Sequence, residues 1–301
     1  MRRFTKVCLI IVLVLGIAGG VFFVTGVAMG ASWRAVRETA ENWVWRDGEW
    51  IWHDGDWDWD WDWSDSDEDG DKWDLSDINS IKARLTETPY KEWEYSASQI
   101  QELEVEAKRA YVKVKENTKD DKIRVKVYSS RDKVEFDADD ACLSVERDTK
   151  KHSVEKSPIQ IEIPAGKQFS EASVYVGAGV LEIDNIEAAE LSLGVGGGEF
   201  IASGKIKGSS TVLDCGMGNM EIAYLDSEYT VINCGMGSVT ASLTGDREQY
   251  SASLDCGIGS VSLGDETHSG ISSLTTGPTN APRNLEIECG MGSVDIIFDA
   301  K

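Results

Sequence analysis

This sequence of 301 residues predicts an all-β protein: a parallel β-solenoid ectodomain of about ten rungs, preceded by one N-terminal transmembrane helix. Three observations predict it. A glycine-cornered phrase of eight residues recurs six times towards the C-terminus, strict polar/apolar alternation fills the stretch before it, and an uncharged run of 23 residues lies near the N-terminus. Self-similarity at a period near 20 residues marks units that bury their apolar face only by stacking.

Residues 1–6 carry Arg2, Arg3 and Lys6, and residues 7–29 then run without a charge. A helix of that length spans roughly 35 Å, enough for a hydrocarbon core of roughly 30 Å, and is longer than a cleavable secretory core. Basic residues before it place the N-terminus in the cytoplasm and the rest outside, as a single-pass protein of the cell membrane. Two small-xxx-small spacings, Gly16 to Gly20 and Gly26 to Gly30, fit helix pairing but are common in any membrane helix.

Residues 30–99 form a juxtamembrane segment. A short helix is expected over 31–46, followed by an acidic linker in which Trp alternates with Asp. Ten of the eleven tryptophans fall between 33 and 73, and an extended chain would put Trp57, Trp59, Trp61 and Trp63 on one face. They read as a solvated linker near the membrane, with a ligand-stacking surface for wall polymers as the sharper alternative. Asp65, Asp67 and Asp69-Gly70 begin like an EF-hand loop, but Ser76 holds the twelfth position and Lys72 intrudes, so only weak, diffuse binding of divalent cations is expected. A helix around 78–85, broken by Pro89, closes the segment.

The ectodomain is placed at 100–301. Residues 102–107, 111–115, 122–127 and 159–163 alternate apolar with charged, and 133–136 and 142–146 do so over shorter spans, which reads as irregular first rungs forming an N-terminal cap. The phrase itself occupies 176–183, 193–200, 215–222, 234–241, 256–263 and 289–296. Its corner glycines are Gly177 and Gly179, Gly194 and Gly196, Gly216 and Gly218, Gly235 and Gly237, Gly257 and Gly259, and Gly290 and Gly292. Such corners need positive φ or a close approach of stacked backbones. Residues 264–282, rich in Gly, Ser, Thr and Pro, read as a loop ejected before the last rung.

Cys215, Cys234, Cys256 and Cys289 take one place in four consecutive rungs. Alternation points them inward together with Met217 and Met236, as a structural ladder of small soft side chains. Disulfides between neighbouring rungs and a metal site rank behind that reading, since the spacing matches no zinc motif. The preceding residues, Asp214, Asn233, Asp255 and Glu288, face outward, and the three carboxylates are the candidates for a metal on that face.

The pattern resembles a bacterial family of membrane-anchored β-strand-repeat proteins of unknown function, commonly labelled "putative adhesins", over residues 100–298. The resemblance implies an envelope protein, sometimes linked to envelope stress, and brings no catalytic residue with it. The Trp/Asp segment lies outside the shared pattern.

Net charge is −23, with −13 in residues 47–77 and −13 in 175–301, which argues against nucleic acid. The three histidines lie in unrelated contexts, and Gly194 to Gly198 is followed by strand where a dinucleotide site needs a helix. No enzyme, catalytic residue or cofactor is therefore expected. The expected role is an adhesin-like binding or structural module, with a cell-wall polymer or a membrane protein as partner. The alternatives are an accessory in envelope-stress sensing and, behind it, a glycan-active enzyme.

Overall fold

The computed structural model describes residues 43–46, 49–52, 78–147, 157–270 and 272–299. The membrane helix expected over 7–29 and the Trp/Asp alternation at 57–63 lie outside them. Among the described residues no helix is long and apolar enough to cross a membrane. The chain divides into two compact units, residues 1–70 and 71–301. In the first, β1 (Trp43–Arg46) and β2 (Glu49–Trp52) pair antiparallel, Trp43 opposite Trp52 and Trp45 opposite Trp50. The helix expected over 31–46 is thus a strand from Trp43 onward, in keeping with the β preference of its tryptophan and valine.

Among its described residues the second unit holds one α-helix, α1 (Ile78–Ala83), and one mixed sheet of 16 strands. Its strands are β3 (Lys91–Ser96), β4 (Glu102–Asn117), β5 (Lys122–Val127), β6 (Asp132–Asp137), β7 (Cys142–Arg147), β8 (Pro158–Pro164), β9 (Gln168–Ile183) and β10 (Ile186–Cys215). They continue with β11 (Asn219–Cys234), β12 (Ser238–Thr244), β13 (Tyr250–Cys256), β14 (Ser260–Leu263), β15 (Glu266–Ser269), β16 (Ser272–Thr276), β17 (Arg283–Cys289) and β18 (Ser293–Asp299). The alternating segments expected at 102–107, 111–115, 122–127 and 159–163 all lie in strands.

Stacking is parallel and in register through the middle of the sheet. Strand β9 pairs with β4 on one side and β10 on the other, and β10 pairs with β11. Apolar residues line up in inward columns: Leu181, Phe200, Met220, Val239, Val294 and Val261 form one, and Ile183, Ala202, Ile222, Ala241, Ile296 and Leu263 another. All twelve are buried, each large side chain contributing about 1.5–3 kcal/mol on leaving water. This continuous column explains why a single copy of the repeat has no core of its own.

The order along the stack departs from the order along the chain. Strand β17 lies between β11 and β13, and β18 between β12 and β14, with Cys289 paired to Cys234 on one side and Cys256 on the other. The copy at 256–263 is therefore the outer layer, and the last copy is threaded inside it. Residues 264–282 are no ejected loop: β15 runs antiparallel to β14 and β16 antiparallel to β13, both along the outer edge. The opposite end is built likewise. Strands β7 and β8 lie outside β4, although they follow it in sequence, and β5 with β3, and β6, add antiparallel outside them. The strands before β9 thus do cap the stack: β4 is a parallel layer on β9, β7 and β8 pair parallel outside it, and only β3, β5 and β6 add antiparallel at the edge. Short antiparallel edge strands with charges, such as β3, leave a poor template for further parallel pairing.

Two polar locks hold these ends. Arg147, fully buried, donates from Nε and Nη2 to both carboxylate oxygens of Asp132 at 2.5 and 2.7 Å, and from Nη1 to the Ser157 carbonyl at 2.6 Å. This is a bidentate pair, the geometry that best offsets the loss of water around two charges. At the other end Arg283, on the threaded strand, donates to Asp226 Oδ1 and to the Ser227 carbonyl, both at 2.9 Å, with its guanidinium over the Tyr250 ring. Tyr250 in turn donates to the Thr244 carbonyl and meets Phe298. Helix α1 seats Ile81 against Tyr111 and Val180, and Lys82 pairs with Glu182.

Candidate functional site

The glycine corner is where sequence repetition becomes a surface. The column through its first residue reads Ala107, Val176, Val195, Cys215, Cys234, Cys289 and Cys256. Val195 joins the column because the Gly216 amide donates to its carbonyl, as the Gly235 amide donates to that of Cys215. This corrects the second copy of the repeat. Its corner glycines are Gly196 and Gly198, with Phe200 stacked on Leu181 and Met220. Gly194 lies two residues earlier, in the strand, where a Cβ would come within 2.8 Å of the Tyr175 ring. Glycine is needed there as a seat for that ring and not as a corner.

Close approach, more than backbone conformation, demands the corner glycines. Positive φ occurs at Gly179 and Gly198, while in the later copies a Cβ on the second glycine would strike the carbonyl of the layer beneath. The thiols exploit the same space. A Cβ on Gly237 would lie 2.9 Å from Cys215 Sγ, one on Gly292 would lie 2.7 Å from Cys234 Sγ, and one on Gly259 would lie 2.8 Å from Cys289 Sγ. The sulfurs of Cys215, Cys234 and Cys289 thus lie in the hollows left by the second glycine of the next layer. Cys215 and Cys234 donate to the carbonyls of Gly218 and Gly237 at 3.2 and 3.3 Å.

All four thiols are buried and free of disulfides. They interact pairwise along the column, Cys215 with Cys234, Cys234 with Cys289 and Cys289 with Cys256. The hydrogen bond between Cys215 and Cys234 lowers the first and raises the second. Burial pushes Cys256 and Cys289 up. Cys142 lies apart, opposite Glu102, its thiol pushed up to about 11 by burial and the nearby Glu104 and Glu102.

Met217 and Met236 do not point inward. They occupy the tip of the corner together with Met291 and Ile258, and the four are 42%, 53%, 59% and 75% exposed. Alternation breaks at a corner, since three residues there cover the bend, so period-two reasoning continued through the Gly-x-Gly gives the wrong face. The signal that finds them is their place between two glycines. In stacking order the ridge runs Met217, Met236, Met291, Ile258, one side chain per layer.

The outward column before the thiols runs Asp214, Asn233, Glu288, Asp255. Asn233 Nδ2 donates to Asp214 Oδ1 at 2.7 Å, and burial pushes that carboxyl up. Glu288 and Asp255 are exposed neighbours. Among the described residues no three His, Cys, Asp or Glu converge on one point. A cleft lined by Lys167, Asn185, Glu187, Lys205 and Lys207 encloses about 160 Å³, below the roughly 300 Å³ at which small-molecule sites begin. Trp57, Trp59, Trp61 and Trp63 lie outside the described residues.

No family model matches the chain, and no curated protein matches it. Among solved structures it is similar to a "putative cell adhesion protein" from Clostridium sporogenes at 12% identity and a TM-score of 0.38, over 69% of this chain and 99% of that one. It is also similar to a "putative adhesin" from Bacteroides fragilis at 16% identity and a TM-score of 0.34, over 69% and 96%. A third such protein, from Parabacteroides merdae, shares 12% identity at a TM-score of 0.31, over 69% and 95%. Likeness at this level assigns no function.

Proposed function

We propose that this chain is a non-catalytic, membrane-anchored β-solenoid that works outside the membrane as an adhesin-like binding or structural module of the cell envelope. The carrying observation is the ridge of Met217, Met236, Met291 and Ile258, which repeats one exposed apolar side chain per layer. Contiguous exposed apolar side chains mark interaction surfaces. A line of them at a spacing of roughly 4.8 Å suits an extended polymer or the edge of another protein better than a compact small molecule. The parallel pairing of β9 with β10, β10 with β11, β11 with β12 and β12 with β18 supports the solenoid reading.

The test is sedimentation of the full-length protein with isolated cell wall, beside a variant carrying Met217→Ser, Met236→Ser, Met291→Ser and Ile258→Ser. Retention is expected to fall at least tenfold with the fold intact, and unchanged retention overturns the reading.

A further inference from the structure

The four thiols form a set that a structural ladder does not explain. Valine fills the same column position at Val176 and Val195, so packing alone has no need of sulfur. From Cys215 onward the column is cysteine in every layer, and threading of β17 places Cys289 between Cys234 and Cys256. Along the chain these residues have no metal-ligand spacing; along the stack they are nearest neighbours.

Two ligands per ion are available here, not four. Zinc takes four donors in a tetrahedron, and no such cluster exists among the described residues. Soft monovalent ions favour thiolate and thioether sulfur, and a d10 ion of that kind is satisfied by two sulfurs in line. Metal–sulfur bonds of about 2.3 Å, placed end to end, span about 4.6 Å. In-register layers stand roughly 4.8 Å apart. Each thiol is buried, 1–3% exposed, so water does not compete as a third ligand. Met217, Met236 and Met291 put thioethers on the solvent side of the same corners, two residues from Cys215, Cys234 and Cys289.

We propose that the column Cys215–Cys234–Cys289–Cys256 binds two soft monovalent cations, Cu(I) or Ag(I), one held between Cys215 and Cys234 and one between Cys289 and Cys256. Each ion displaces one proton from its pair, giving a neutral thiolate–metal–thiol bridge with no change of oxidation state. Neutrality matters in an apolar column, where a net charge would be costly. The site is independent of any wall-binding role.

The experiment is anaerobic titration of the reduced, full-length protein with Cu(I), buffered by a competing chelator and read by thiolate–copper absorbance, metal content and proton release. Two ions per chain are expected, with about one proton released per ion. Cys234→Val should keep one ion, and Cys234→Val with Cys289→Val should keep none, because the remaining sulfurs are three layers apart. Valine is chosen because the column already holds it, and circular dichroism checks that each variant is folded. Met217→Leu, Met236→Leu and Met291→Leu together should leave the stoichiometry at two. The proposal is overturned by absence of uptake, by uptake that survives the double valine variant, or by uptake lost in the leucine variant.

Discussion

Cys215 Sγ and a hypothetical Cβ on Gly237 compete for one space, 2.9 Å apart, although 22 positions separate the two residues in the chain. Residue-scale predictions follow from that competition. Gly237→Ala should destabilise the protein by about 1–3 kcal/mol, as overpacked sites do, and trimming Cys215 should not rescue it because the Gly218 carbonyl obstructs the same Cβ. Gly197→Ala is the control: nothing lies within 4 Å of a Cβ there, and urea midpoints should show no comparable loss. The pattern of glycines was legible, but which glycine needed its hydrogen, and why, was not. Gly194 and Gly196 look alike in the sequence, and the register of the layers, with the Tyr175 ring against Gly194, tells them apart.

At the scale of elements, the locks at the two ends carry more than their exposure suggests. Asp132→Ala leaves the Arg147 guanidinium buried beside Ser157 without its counter-charge, a loss of about 3–5 kcal/mol. Replacing both partners together, Asp132→Leu with Arg147→Met, should recover most of it, and a double-mutant cycle by chemical denaturation measures the difference. Arg283→Met should cost about 2 kcal/mol, the scale of hydrogen bonds to charged groups. It should also loosen β17 and β18 ahead of the rest, seen as faster amide exchange over 283–299. The cap has a separate role. Proline at Thr267 and Ser273 should strip β15 and β16 from the outer edge and expose β13 and β14, giving concentration-dependent association in gel filtration. None of these strands was visible beforehand, because 264–282 has the composition of a loop and its strands are only four and five residues long.

For the whole molecule, acid is the revealing condition. Burial pushes Asp226 upward, but hydrogen bonds from Arg283, Lys205 and Thr244 outweigh it and hold the carboxyl below its ordinary value. Glu182 and Glu162 are likewise raised by burial and more than compensated, by Lys82 with Tyr111 and by Lys126. A carboxyl depressed in the folded state stabilises it above the unfolded value near 4 and loses that contribution as pH falls through the folded value. Asp214 and Glu171, raised by burial, work in the opposite sense but are two groups against five, since Glu94 and Asp120 are also held below their ordinary values by hydrogen bonds, chiefly from Lys122 and Arg124. Melting temperature should therefore stay level from about pH 8 to 5 and drop below about pH 4, with a shallower drop in Arg283→Met. A drop that is equally steep in that variant would remove Asp226 from the account.

The sequence by itself determined the β class, the alternating strands from 102 to 163, the inward place of the cysteines and the stacking of glycine-cornered copies. Each of these follows from period and composition, which act locally or between identical copies. Tertiary structure alone decided the order of the layers, the antiparallel caps, the outward turn of the methionines and the contact of Cys289 with both Cys234 and Cys256. The physical reason is that every copy offers nearly the same edge to every other, so nothing in a copy states which neighbour it will meet. That choice rests on a few side chains far apart in the chain, Arg283 with Asp226 and Tyr250 at one end and Arg147 with Asp132 at the other, whose partners become apparent only once the chain has folded.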